Sequence, residues 1–154
     1  MQIHKLELAE DYNLIGIHTA EEDYRLAYLL NVHLNTAFSR FKDSLDFENT
    51  NASFTVFDYF DCKNQIDQYL IANKFQEQQI TQESTGLFSE SVVYSSTSYL
   101  IPERKRVDYF LKIEGEMDAH QLSNTLDKLN NIHEIITSYN IDPSTLKSKD
   151  YLIF

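Results

Sequence analysis

The chain has 154 residues, 42% hydrophobic and 13% aromatic, which fits one domain and argues against disorder. A formal net charge of -11, from 24 acidic and 13 basic residues, argues against general binding to phosphate backbones or anionic membranes. Cys62 is the sole cysteine, so no internal disulfide exists, and no apolar window approaches the ~18 residues of a membrane span. The amino-terminal residues lack the apolar core of a signal peptide, so a reducing, cytoplasmic setting is expected.

The first predicted elements are strands over Met1–Leu8 and Tyr12–His18, with Glu10–Asp11 as the turn between them. Gly16 inside the second marks a bulge or a close approach. Thr19 and Glu22 then have the spacing of a capping box, which opens a helix over Ala20–Leu34. Its apolar stripe is Leu26, Leu29, Leu30, His33 and Ala37. Weak alternation predicts a strand over Phe38–Phe47, and a polar, Asn-rich loop follows to Ser53.

Phe54–Phe60 is rich in aromatic and β-branched residues and predicts a strand. Ile66–Phe75 suits a helix or a strand, and Tyr69-Leu70-Ile71 favours the strand. Gln76–Gly86, nearly devoid of apolar residues, reads as an exposed loop. Leu87–Ile101 and Val107–Glu114 are strongly strand-like, and Pro102 suggests a hairpin with Glu103–Arg106 at its tip. Asp118 and Gln121 form a second capping box, and Leu122, Leu126, Leu129, His133, Ile136 and Tyr139 carry a helical period to Tyr139. The apolar tail Tyr151–Phe154 reads as a closing strand. Strands in runs, not in alternation with helices, define an α+β domain: a mainly antiparallel sheet of about six to eight strands with two α-helices packed on it.

Gly16, Gly86 and Gly115 are isolated, so the phosphate-cradling loops are missing, as is a G-x-S-x-G elbow. The five histidines show no i, i+4 pair, and His33 and His133 lie on the two expected apolar stripes, so no metal site or cofactor is expected. Cys62 has carboxylates for sequence neighbours and no histidine beside it, the wrong setting for a nucleophile. Arg104-Lys105-Arg106 is the one dense basic cluster. It reads either as a charged tip balanced by Glu103 and Asp108, or as a recognition point for an acidic partner or phosphate group.

The run Ile101-Pro102-Glu103-Arg104-Lys105-Arg106-Val107-Asp108-Tyr109 resembles the signature of the IPExxxVDY family of small bacterial proteins. That resemblance covers nine residues and implies a bacterial cytosolic protein with no attached activity. A shaped turn and a binding surface built from Glu103, Arg104, Lys105, Arg106, Asp108 and Tyr109 are both open readings. The sequence therefore leads to a non-enzymatic interaction or adaptor protein, with a protein partner or a second copy. The alternative is a small-ligand binder or enzyme with an aromatic-lined pocket between sheet and helices. Neither nucleic acid nor membrane is an expected partner.

Overall fold

The structure, a computed structural model, describes residues 12–46, 51–83 and 90–154. The predicted Met1–Leu8 strand lies outside these residues. In chain order the elements are β1 (Tyr12–Thr19), α1 (Asp23–Leu34), β2 (Ser39–Arg40), β3 (Leu45–Asp46), β4 (Ser53–Phe54), β5 (Val56–Asp61), β6 (Ile66–Ala72), β7 (Lys74–Glu83), β8 (Glu90–Tyr99), β9 (Tyr109–Glu114), α2 (Ala119–Asn130) and β10 (Ile135–Ile141). Single 3-10 turns occupy Pro102–Arg104, Pro143–Thr145 and Lys149–Leu152.

Six strands form one antiparallel sheet in the order β10-β1-β9-β6-β5-β2. With both helices packed on it, the fold is the α+β arrangement that the runs of strands predict. Period-2 alternation sorts its side chains between two cores. Ile15, Ile17, Tyr109, Leu111 and Ile113 join Leu26, Leu30 and Leu129 of the helices. Leu14, Ile71 and Phe110 pack on the opposite side with Phe54, Leu146 and Leu152 from the short strands and the tail. Full burial of each such Leu, Ile or Phe contributes about 1.5–3 kcal/mol, so the tail is a structural layer rather than an appendage.

Several expectations are corrected. The Thr19 capping box does not form: α1 starts at Asp23, its cap residue Glu22 makes no side-chain cap bond, and Thr19 Oγ1 instead donates to Glu134 O at 2.7 Å. The Asp118–Gln121 box forms with both of its bonds. The second helix ends at Asn130, not Tyr139. Beyond it the apolar spacing belongs to β10, where Ile135, Ser138 and Ile141 are buried, and the helical period was a coincidence of two patterns. His33 and His133 are both exposed. The expected Phe38–Phe47 strand is reduced to β2 and β3, and the closing strand is the 3-10 turn Lys149–Leu152.

The largest correction concerns Gln76–Gly86. Most of it is strand: β7 pairs with β8 in register from Lys74↔Tyr99 to Glu83↔Glu90, forming a separate two-stranded ribbon. Gln76, Gln78 and Tyr94–Thr97 are all exposed, so these side chains write no apolar run. Cross-strand backbone pairing, which composition does not register, makes the stretch a strand. Consequently β8 and β9 form no hairpin. β9 pairs with β1 and β6, and Ile101–Asp108 carries the chain from the ribbon into the middle of the sheet. Gly16 is a close approach: a Cβ there would meet Ile141 Cδ1 at 2.8 Å.

Candidate functional site

The crossover from ribbon to sheet is built around Asn73. This residue separates β6 from β7 and is fully buried. Its Nδ2 donates to Arg104 O at 2.9 Å and to Val107 O at 2.8 Å, while its Oδ1 accepts from Ile101 N at 2.8 Å. Its own N–H donates to Asp108 O, and its carbonyl accepts from Leu100 N. One side chain thus closes both ends of the Ile101–Val107 turn. Ile101 and Val107 anchor that turn in the core at 0% and 1% exposure. Pro102 opens its 3-10 helix, where a missing N–H costs nothing.

The two carboxylates of the run are engaged away from the basic cluster. Glu103 accepts from Ser148 N at 2.6 Å and from Ser148 Oγ at 3.0 Å, tying the turn to the tail. Asp108 Oδ2 accepts from Thr19 N at 2.9 Å, and its Oδ1 pairs with Lys74 Nζ at 2.6 Å. Neither balances Arg104, Lys105 or Arg106, which form no ion pair with the described residues. Lys105 and Arg106 are exposed and Arg104 is half-buried. Lys105 Nζ stands 5.8 Å above the Tyr99 ring. The result is a cationic turn on a fixed backbone, in a chain of net charge -11.

Asp108 and Tyr109 line a different surface. They lie with Lys74, Glu22 and Arg40 around adjoining clefts of about 540 and 380 Å³, beside the start of α1. None of the three turn cations lines these clefts. Burial first, and then the carboxylates of Asp23, Asp108, Glu22 and Glu21, push the Tyr109 phenol far above its ordinary value. It therefore stays protonated and donates to Glu21 O at 2.8 Å. A phenolate base is not available there. A larger open groove of about 1020 Å³ at the other end of β9 is lined by Tyr12, Glu114, Glu116, Met117 and Asp118. Among the described residues, no three His, Cys, Asp or Glu side chains converge as metal ligands. No helix among them is long and apolar enough to cross a membrane.

Sequence reasoning missed Asn73, Lys74 and Ser148. A signal for Asn73 was present: an Asn breaking the apolar run Tyr69–Ala72 is disfavoured inside a strand and marks a change of course. Nothing marked Ser148, because its partner Glu103 is distant in sequence. Comparison with family models, with curated proteins and with solved structures found no match.

The Glu103–Ser148 contact has a pH signature. Partial burial acts to raise the Glu103 carboxyl, but hydrogen bonds from the Ser148 backbone, its own backbone, the Ser148 side chain and the Lys147 backbone together outweigh it and hold it below its ordinary value. A carboxylate depressed in the folded state stabilises fully above the unfolded value, and that contribution is lost as pH falls through the lower folded value. Glu103→Gln is expected to cost about 1 kcal/mol or less at pH 7, given solvent screening. Urea unfolding of both proteins at pH 7 and pH 3 checks this: the difference should shrink at pH 3.

Proposed function

We propose that this chain is a non-enzymatic protein-interaction or adaptor protein, cytosolic as its resemblance to the IPExxxVDY family suggests, and that its basic turn docks on an acidic surface of a protein partner. One observation carries the reading. Arg104, Lys105 and Arg106 lack carboxylate partners among the described residues, while the two acids beside them are bonded elsewhere. A turn whose backbone is already fixed spares the cost of ordering it on binding, and in an acidic molecule its cations attract an acidic partner. Three cations release too few counterions to hold nucleic acid against the charge of the whole chain.

Titration with an oligo-glutamate peptide tests this. Binding should weaken steeply with salt and fall roughly tenfold or more in Arg104→Glu with Arg106→Glu. Equal affinity in the double variant would overturn the reading, and stronger binding of a single-stranded oligonucleotide would redirect it to phosphate.

A second reading, a small-ligand site, is favoured by the cleft of about 540 Å³, which falls in the usual size range of ligand pockets. It lies beside the start of α1 rather than between sheet and helices. A fragment screen by thermal shift, repeated on Lys74→Ala, checks it: hits indifferent to that change dismiss the site.

A further inference from the structure

Each edge of the central sheet is closed to further pairing. β2 is only two residues long. β10 has no charge and no proline, yet its middle is occupied: Asn130 Oδ1 accepts from Ser138 N at 2.8 Å, and Asn130 Nδ2 donates to Ser138 O at 3.2 Å. That carboxamide stands where a neighbouring peptide group would bind. Short edges and filled edge groups are how natural sheets avoid joining others.

The ribbon is treated differently. β7 carries Lys74, Glu77 and Glu83, and its base touches β4. β8 is ten residues long, and from Ser91 to Leu100 the sequence contains no charge, proline or glycine. Its strand pairing among the described residues is to β7 alone. Tyr94, Ser95, Ser96 and Thr97 are exposed, so this edge stands clear of the other described residues. A two-stranded ribbon is marginal in water, and a third strand is what normally secures it.

We infer that two copies of this chain join through their β8 edges, antiparallel about a two-fold axis, to form a four-stranded sheet β7-β8-β8-β7. The occupant follows from charge. Two molecules of net charge -11 repel over most of their surfaces, and an edge whose only charge is Glu90 at its start, with Ser91–Tyr99 uncharged, lets a second copy approach with few like charges meeting. Antiparallel pairing of an edge with itself is isologous and closes at two copies. Full overlap would supply on the order of ten main-chain hydrogen bonds. The inference rests on the interaction reading and specifies self-association as a part of it.

Sedimentation of the full chain at 1–100 μM, in buffer of physiological salt, tests the dimer. A doubled mass is expected at the upper concentrations. Ser95→Lys with Thr97→Lys should weaken association at least tenfold, because lysines blunt an edge. Gln76→Lys with Gln78→Lys places the same charges on the pairing partners in β7 and should leave the dimer intact. Thermal unfolding of each variant confirms that it folds. A dimer indifferent to the Ser95/Thr97 pair, or lost equally in both pairs, overturns the β8 edge while self-association stands. A monomeric wild type overturns self-association altogether. The oligo-glutamate titration decides the basic turn separately.

Discussion

Asn73→Ala is expected to cost about 3–5 kcal/mol. The side chain is fully buried and makes three hydrogen bonds, all to backbone groups of the Ile101–Val107 turn. Removing it leaves the Val107 carbonyl and the Ile101 N–H buried without their partner, and each such orphan costs about 1–3 kcal/mol, while Arg104 O keeps only its bond from Val107 N. Water cannot easily replace it, because Ile101 and Val107 on either side are buried at 0% and 1% exposure. For a chain of this length the melting temperature should fall by roughly 10 °C.

Asn73→Asp separates geometry from volume. It keeps an acceptor for Ile101 N–H but turns an oxygen, not an NH2, toward the Arg104 and Val107 carbonyls. It should be at least as damaging as alanine at neutral pH, since a buried charge is added to the lost bonds. Urea unfolding of both variants is the check. A loss under 1 kcal/mol for Asn73→Ala would mean that the turn is held by Ile101 and Val107 alone. A loosened turn would also scatter Arg104, Lys105 and Arg106, so affinity for an acidic peptide should drop in whatever fraction remains folded.

The limits of the sequence reading follow from which forces leave a pattern. β1, β6 and β9 were legible because each buries side chains against a core, and burial on both faces writes near-continuous apolar runs such as Tyr109–Ile113. The Asp118–Gln121 cap was legible because both partners lie within one turn. The β7–β8 ribbon was half hidden, since β7 exposes Gln76 and Gln78 and its order comes from backbone pairing that polar residues permit. Strand pairing was hidden altogether. Pro102 between two strands suggests a hairpin, yet the turn around it is closed by Asn73, 31 positions from Arg104. The same distance rule governs the candidate site. That Glu103 and Asp108 neighbour three cations was visible; that their partners are Ser148, Thr19 and Lys74 was not.

Lys112→Met is expected to release the tail while leaving the sheet intact. Lys112 lies in the middle of β9, on the face opposite the helices, with its side chain only 3% exposed. Its ammonium donates to Leu152 O at 2.6 Å and pairs with Glu114 Oε1 at 2.6 Å. Three rings surround it: Phe154 at 4.8 Å, Tyr12 at 4.9 Å and Tyr69 at 5.6 Å from Nζ to centroid. A buried ammonium is tolerated only when its donors are used and its charge is met, and here a carbonyl, a carboxylate and π-faces do both. Methionine keeps the volume of the stem and removes the charge. Glu114 then returns to water at small cost, its side chain being 37% exposed, whereas Leu152 O is left unpaired in the interior. The net loss should be about 2 kcal/mol, rising to about 4 kcal/mol for Lys112→Ala, which also opens a cavity. The local effect is the sharper test. Leu152 is fully buried and Glu103 still holds Ser148, so the segment stays attached at its start and loosens toward Phe154. Amide exchange in residues 149–154 should accelerate roughly tenfold or more, with β9 and β1 little changed. Uniform acceleration across the sheet would instead show that Lys112 supports the core as a whole, and unchanged exchange in the tail would show that burial of Leu152 suffices to hold it.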